Sequence, residues 1–501
     1  MSSSAPNPAA RLRGFRRPTW LSDPKVLRTE VLAGLVVALA LIPEAISFSI
    51  IAGVDPAIGL FASFTMAVTI AVVGGRPAMI SAATGAVALV IAPLNREHGF
   101  GYLVAAVILA GVFQIVLGAL GVAKLMRFVP RSVMVGFVNS LAILIFMAQV
   151  PEMTGVPWPV YPLLAAGLAL MVCFPKVTSV VPAPLVSIVI LTVVTVAAGI
   201  AVPTVGDKGE LPSSLPVPGL PDVPFTMDTL TTVAPYALAM ALVGLMESLM
   251  TAKLVDDITD THSSKTRESV GQGVANIVTG FFGGMGGCAM IGQTMINVEA
   301  SGARTRISTF LAGAFLLALV VGAGDLVAVI PMAALVAVMI MVSVATFDWH
   351  SLRTLRSMPR SETVVMLTTV VVTVATHNLA YGVLAGVLVA MVAFARRVAH
   401  LTEVTRLDDT DDDGVAVYAV TGELFFASSN DLVYQFDYAG DPAHVVIDMS
   451  DAHIWDASTV ATLDAITTKY AAKGKTVTIV HLDEDSARRH DALAGQLGAG
   501  H

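Results

Sequence analysis

Residues 74–93 read GGRPAMISAATGAVALVIAP, and residues 281–298 read FFGGMGGCAMIGQTMINV. Each joins a glycine-rich run to an apolar stretch that is short for a bilayer-crossing helix, which needs about 20 residues. Both lie inside sequence that is almost continuously apolar from about residue 30 to 400. An interrupted backbone at membrane depth survives only where it is buried in protein or lines a cavity. Paired short segments at corresponding positions of two halves point to an inverted-repeat transporter and its binding site. The N-termini of the two half-helices then bring unpaired N–H groups and partial positive charge to the midplane, a setting that suits an anion. Glycine runs also let helices pack closely, so on these two stretches alone that reading stays open beside the first.

The composition places them in a membrane. Of 501 residues, 55% are hydrophobic and only 13% charged, about half the charge of a soluble domain. This excludes a disordered chain, a secreted mini-domain and an ordinary cytosolic enzyme; a net charge of −8 argues against nucleic acid as a partner. Cys173 and Cys288 lie in or beside apolar segments and imply no disulfide framework. A polytopic membrane protein remains.

The apolar region has room for about 14 spans. They read near 30–51, 57–74, 80–93, 101–122, 130–150, 160–174, 184–201, 233–255, 270–283, 289–298, 306–323, 326–346, 361–377 and 379–396. The third and tenth are the two short ones, seven apart. With a cytoplasmic N-terminus, the inner loops collect Arg76; Lys124, Arg127 and Arg131; Lys176; Lys265 and Arg267; Arg304 and Arg306; Arg353, Arg356 and Arg360; and Arg396 and Arg397. The outer loop 202–232 carries Lys208 against Asp207, Glu210, Asp222 and Asp228. This is the positive-inside pattern, and an even count returns the C-terminal region to the cytosol.

Two acids fall inside spans: Glu44, just after Pro43 in the first, and Glu247 in the eighth. A carboxylate at that depth is costly and marks function by default. No Lys or Arg lies in the interior of a span as drawn, so neutralisation by a transported H⁺ or Na⁺ is the natural alternative to an ion pair. Thr251 follows Glu247 by four residues and shares its helix face, a reasonable hard-cation pair. The competing readings are a Glu247 that hydrogen-bonds a neighbouring helix and a Glu44 engaged with backbone freed by the proline. Asp256, Asp257, Asp260 and His262 read as a solvated loop, and His377 and Asn378 as an interfacial turn. No nucleophile triad, zinc signature or phosphate loop is present, so no enzyme and no cofactor is expected.

The flanks differ. Residues 1–29 form a polar, basic segment (Arg11, Arg13, Arg16, Arg17, Lys25, Arg28) that does not read as a signal peptide. Residues 30–400 are the transport region, and 401–414 an acidic linker with Asp408, Asp409, Asp411, Asp412 and Asp413. Residues 415–501 read as a small α/β domain: two strands in VAVYAVTGELFFAS bent at Gly422, a strand in HVVIDMS, a helix in STVATLDAITTKYAAKGK, and a strand in TVTIVHL.

Four stretches in order resemble the sulfate permease family (solute carrier family 26): ALIPEAISFSIIAGVDPAIGLFAS, MESLMTAKLVDDITDTHSSKTRESVGQGVAN, GGMGGCAMIGQTMINVEASGARTRIS, and, in the tail, VIDMSDAHIWDASTVATLD, which resembles a STAS domain, the fold of anti-sigma-factor antagonists. The resemblance spans residues 18–485. It implies an all-α membrane domain of 14 transmembrane segments in a seven-plus-seven inverted repeat, split into core and gate domains, with a cytoplasmic STAS domain. It also implies a homodimer in the inner membrane that carries a small inorganic or organic anion by an elevator movement. Thr84, Gly85 and Ala86 fall at the third-span half-helix that touches the anion, and Met290, Ile291 and Gly292 at the tenth-span start. Phe48 falls at an aromatic bordering the substrate. Glu247 falls at an acid tied to cation coupling, and Thr251 at a ligand hydroxyl of a sodium-dependent bicarbonate carrier.

Two positions depart from the family. Gln293 stands where many members have arginine, and Glu44 where glutamine is common. The site thereby loses a fixed positive charge and gains a negative one, which favours H⁺- or Na⁺-coupled symport of a carboxylate, dicarboxylate or bicarbonate, with sulfate a further candidate. Anion exchange, a nucleobase permease of the same fold, and a membrane-anchored STAS signalling protein are the alternatives. Ser458 in DAST matches a phosphorylatable serine of the antagonists, but Thr459 replaces the following glycine; helix capping is its ordinary role.

Overall fold

In the computed structural model, residues 24–121, 129–176, 182–212, 214–399, 402–407, 414–429 and 431–496 are described. Arg11, Arg13, Arg16, Arg17, Lys124, Arg127 and the acidic run Asp408–Asp413 lie outside them. The chain divides into two compact units, residues 1–387 and 388–501.

The first helices are α1 (Pro24–Ala52), α2 (Pro56–Val73), then strand β1 (Ser81–Ala82), α3 (Gly85–His98), α4 (Phe100–Ala119), α5 (Arg131–Gln149), α6 (Val160–Cys173) and α7 (Ala183–Ala197). The second run is α8 (Met227–Thr259), α9 (Lys265–Phe281), strand β2 (Cys288–Ala289), α10 (Ile291–Met295) continued by a π-turn Ile296–Ala300, and α11 (Arg306–Gly322). There follow α12 (Gly324–Ala328), α13 (Met332–Thr346), α14 (Trp349–Thr354), α15 (Arg360–Thr376) and α16 (Leu379–Ala399). Among the described residues six helices are long and apolar enough to cross a membrane: α1, α2, α4, α8, α16, and α5 with the turn after it. Four more, α6 with its following turn, α7, α11 and α13, are apolar but shorter.

The third and tenth segments are broken as their glycines suggest. β1 and β2 cross antiparallel, with Ser81 opposite Ala289 and Ala82 opposite Cys288. Gly287 makes the crossing possible: a Cβ there would stand 1.9 Å from the Ala82 carbonyl oxygen. Backbone amides freed by the break find side chains on the surrounding helices, as burial demands. Ala289 N donates to Ser248 Oγ (3.0 Å), Ala83 N to Ser63 Oγ (3.2 Å), Ile80 N to Thr294 Oγ1 (3.0 Å) and Gly287 N to Asn276 Oδ1 (2.9 Å).

Around this crossing pack α1, α2, α3, α4, α8, α9 and α11, while α5 packs with α13 and α15, and α6 with α7 and α13. The second group keeps apolar side chains outward: α7 buries Ser187, Ile188, Leu191 and Thr195 but exposes Val189, Val193 and Val196. On a helix this apolar all round, such a face suits lipid.

Three expectations need correction here. The polar N-terminal segment does not run to residue 29, because α1 starts at Pro24 and carries Lys25 and Arg28. Its Glu30 is buried and accepts the amides of Arg304 (2.7 Å), Thr305 (2.9 Å) and Ser308 (3.1 Å) at the start of α11. The span drawn over 326–346 is split, because Pro331 has no N–H to continue a helix; Met332 N instead donates to Pro203 O at 2.8 Å. Asp256 is no solvated loop residue. It ends a long α8 and pairs with Arg76 (2.9 Å) and Lys265 (2.7 Å), itself largely buried.

The second unit, from Leu388, carries a four-stranded sheet of order β3 (Glu403–Leu407), β4 (Val415–Leu424), β5 (His444–Ile454) and β6 (Thr476–Val480). Short α17 (Phe426–Ser429) follows β4, α18 (Ala457–Ala471) follows β5, and α19 (Glu484–Leu493) follows β6. β3 runs antiparallel to β4, and the other pairs are parallel. β3 occupies part of the expected linker, held partly by Arg406 against the buried Asp441 (3.0 Å), which also accepts Tyr418 and Tyr470 hydroxyls. Residues 415–424 are one strand rather than two: the register shift between Ala419 and Thr421 absorbs the irregularity assigned to a bend at Gly422. Ser458 is exposed within the first turn of α18, and the cap is Asp456, which accepts the Thr459 amide at 3.0 Å.

Gly287→Ala is expected to destabilise the membrane unit by about 1–3 kcal/mol, the usual cost of overpacking, whereas Gly219→Ala, with open space around it, is neutral. Thermal unfolding of the two purified variants in detergent separates them; equal melting temperatures would contradict the close crossing.

Candidate functional site

Beside the β1–β2 crossing lies a cavity of about 350 Å³. The first helical residues after each strand open onto it: Thr84, Gly85 and Ala86 on one side, Met290, Ile291, Gly292 and Gln293 on the other. Thr84 N-caps α3 by accepting the Val87 amide at 3.4 Å. The arrangement aims the start of a 14-residue helix at the cavity, where first-turn amides have no intrahelical acceptor. α10 contributes a weaker end, because it holds five residues before the π-turn. Phe48 and Glu44 from α1 and Glu247 from α8 complete this side.

All nine residues expected to touch substrate therefore line one cavity, and Glu247, expected at cation coupling, lines it as a tenth. Thr251 does not line the cavity. Its hydroxyl is buried and donates to the Glu247 carbonyl oxygen at 2.8 Å; the shared helix face places it near the carboxylate's own residue without making it a joint ligand.

The opposite wall was not foreseen. Apart from Thr346 at the end of α13 it is apolar: Phe137, Val138, Leu141 and Ile145 of α5, with Val342 and Ala345 of α13. Nothing in an apolar run distinguishes a cavity wall from ordinary core, so sequence reasoning had no signal to find it. Phe48 and Ile145 close in on Gly85, where a Cβ would lie 2.9 Å from the Phe48 ring and 3.2 Å from Ile145. A second cavity of about 720 Å³ is lined by Ser47 and Leu144, chain neighbours of Phe48 and Ile145, and carries Arg96, Glu97, Glu152 and His377.

The polar contacts within the smaller cavity are few and specific. Gln293 Nε2 donates to Glu44 Oε1 at 2.9 Å. The two departures from the family pattern are thus each other's partners, and Glu44 bonds Gln293 rather than backbone freed by Pro43. Cys288 Sγ donates to Glu247 Oε2 at 2.9 Å and lies 3.1 Å from Thr84 Oγ1. The cysteine was read only as unpaired. Its place in the glycine-rich break, next to an intramembrane acid, is visible only in three dimensions. Among the described residues the lining holds two carboxyl groups and no Lys, Arg or His.

Comparison with known proteins bears on this geometry. The family model described as the sulfate permease family matches residues 27–162 and 163–369, and a STAS domain model matches residues 406–494. The chain belongs to the sulfate permease family. It is 52% identical over 448 residues to the putative sulfate transporter YbaR of Bacillus subtilis, covering 89% of this chain and 93% of that one. It is 26% identical over 496 residues to the bicarbonate transporter BicA of Picosynechococcus, covering 88% and 86%.

Among solved structures, the transmembrane domain of a cyanobacterial bicarbonate transporter BicA aligns with a TM-score of 0.64 at 25% identity, covering 74% of this chain and 98% of that one. The murine solute carrier 26 family member A9 anion transporter, in its inward-facing state, aligns with a TM-score of 0.79 at 16% identity, covering 98% and 92%; this likeness shows the fold. The membrane unit is an anion transporter of this family carrying a STAS domain, and not an enzyme.

Removing the Gln293 donor leaves Glu44 buried without it, a loss of about 1–3 kcal/mol. A double-mutant cycle of Glu44→Gln and Gln293→Leu, read on the transport KM, is expected to show a coupling energy of about 1–2 kcal/mol. Additive effects would mean that the two side chains do not meet in the working transporter.

Proposed function

We propose that this transporter is a secondary active symporter of a small anion, with a carboxylate or bicarbonate as substrate and sulfate a further candidate, driven by protons. The observation that carries the reading is a cavity at the end of α3 whose charged groups are both acids, Glu44 and Glu247. An anion 4 Å from an ionised carboxylate is repelled by about 4 kcal/mol at an effective dielectric near 20. Binding therefore requires that negative charge be discharged in the same cycle. Either a proton or Na⁺ satisfies that need in principle. A hard cation wants several oxygen ligands, whereas the partner at Glu247 Oε2 is a thiol and the Thr251 hydroxyl does not open onto the cavity. These contacts favour the proton.

The same geometry supports alternating access. The cavity lies between the helices around the β1–β2 crossing and the wall of α5 and α13, so movement of one group against the other, as in an elevator, would carry it between the two membrane faces. The larger cavity with Arg96 and His377 is then the approach from outside, given the positive-inside pattern of the loops. That pattern sets the N-terminus and the STAS domain on the cytoplasmic side of the cell membrane, and a homodimer is expected from the family. Membership of the family and the STAS match favour anion transport over the nucleobase and sensor readings.

The deciding experiment is uptake of a panel of labelled anions (bicarbonate, fumarate, sulfate, chloride) into proteoliposomes under imposed pH or sodium gradients. An outside-acid gradient should drive uphill uptake of one of them, and an ionophore that collapses the gradient should abolish it. Uptake that depends only on an opposing internal anion would establish exchange and overturn symport. Glu247→Gln, which fixes the side chain neutral, is expected to lose gradient-driven accumulation while the protein stays folded; retained accumulation would remove Glu247 from coupling. Gln293→Arg restores a fixed positive charge and should weaken the dependence on the driving ion, which an unchanged gradient response would contradict.

A further inference from the structure

The two acids of the cavity are held by different chemistry. Glu44 takes its bond from an amide nitrogen, which can only donate. Glu247 takes its bond from a thiol, which can donate or accept, and that thiol also touches Thr84, whose hydroxyl both caps α3 and opens onto the cavity. Carboxyl, thiol and hydroxyl form one chain of contacts at 2.9 and 3.1 Å, with Cys288 and Thr84 buried.

Counting hydrogens along this chain gives two arrangements. With Glu247 ionised, the single hydrogen of Cys288 points at Oε2. The contact between Thr84 and the sulfur must then use the hydroxyl hydrogen of Thr84. The cavity meets only lone pairs there, and an anion is refused. With Glu247 protonated, its new O–H donates to Sγ and the S–H turns to Thr84 Oγ1. The hydroxyl oxygen now accepts from both the thiol and the Val87 amide, and its own hydrogen is released toward the cavity. Only the proton taken up by Glu247 is added; the other two hydrogens rotate and no bond to them breaks.

We propose that Cys288 is a positioning residue that relays the protonation of Glu247 to Thr84, converting the cap of α3 from an acceptor into a donor toward the transported anion. The proposal rests on the proton-coupled reading above and supplies its missing link, since it makes proton and anion each raise the other's affinity. The groups facing Glu247 support a local event. Cys288 comes from β2, and Glu44 of α1 lines the same cavity, occupied by Gln293 of α10. α3 presents the uncharged Thr84, and the side chains that pack beside α8 at Gly244, Gln114 of α4 with its partner Asn276 of α9, are uncharged. The charged cluster of Arg76, Asp256 and Lys265 lies nine residues along α8, about 13 Å away at the helical rise.

Two measurements test it. The first is the infrared S–H stretching band of Cys288 in full-length Cys173→Ala protein, followed as pH is varied. The band should shift as the relay inverts, and adding Glu247→Gln should abolish the shift. The second is the pH dependence of KM for the labelled anion that the panel identifies. Wild type should bind more tightly on the acid side, and about tenfold of that dependence, the worth of one hydrogen bond to a charged group, should come from the relay, beyond the relief of repulsion at Glu247. Cys288→Ser, which keeps a donor and acceptor, should retain that dependence; Cys288→Ala should lose about tenfold of it and keep only the part due to charge at Glu247.

A wild type indifferent to pH gradients would overturn proton coupling and the relay together. A proton-driven wild type whose S–H band does not respond to pH, or whose Cys288→Ala variant keeps the full KM dependence, would overturn the relay and leave proton coupling standing. Should Cys288→Ala fail to fold, the infrared measurement decides alone.

Discussion

Two extended peptide segments that cross at membrane depth, Ser81–Ala82 against Cys288–Ala289, are the constraint on which this transporter depends. Backbone outside a helix cannot sit in hydrocarbon with open N–H and C=O groups. The crossing is therefore enclosed by helices that each lend a hydroxyl or amide: Ser63 from α2, Ser248 from α8, Asn276 from α9 and Thr294 from α10. Once those partners are in place, the polypeptide leaves the crossing as two helices whose first residues line a common cavity. The site is a by-product of satisfying the break.

Charge then defines what the cavity does. Helix ends offer partial positive charge, yet the described lining contains no full positive charge and two acids. Neither acid is idle: Glu44 is bound by Gln293 and Glu247 by Cys288. The two acids are the reason coupling to a neutralising ion is central to the proposed function rather than an addition to it. Buried Glu30, which accepts three amides at the start of α11, shows the other use of a carboxylate in this fold. There the carboxyl oxygens hold the start of a helix.

The membrane region and its broken segments were legible from sequence because composition, glycine clustering and loop charge are local or additive signals. Eight of the nine expected lining residues came from motif resemblance and Glu44 from its place inside an apolar span, and all nine meet in one cavity. Other features were misread for identifiable reasons. Thr251 lies on the correct helix face, but a buried threonine hydroxyl readily bonds the carbonyl four residues back, as it does here. Asp256 looked solvated because its partner Arg76 lies 180 residues away. Strand β3 was hidden in a polar stretch because its burial pattern is largely exposed, leaving no alternation to read.

By itself, the sequence determined that this chain lives in a bilayer, that its third and tenth segments are broken at glycine-rich runs, that two acids fall within its apolar stretches, and that a small α/β domain follows. These follow from side-chain solubility and backbone freedom, which each residue carries wherever it is placed. Only the tertiary structure decided which groups act together. Glu247 and Cys288 are 41 residues apart, Cys288 and Thr84 204, and Glu44 and Gln293 249. A hydrogen bond needs its two atoms within about 3 Å and aligned, and no local pattern encodes that proximity; it exists only after the two halves of the chain have crossed.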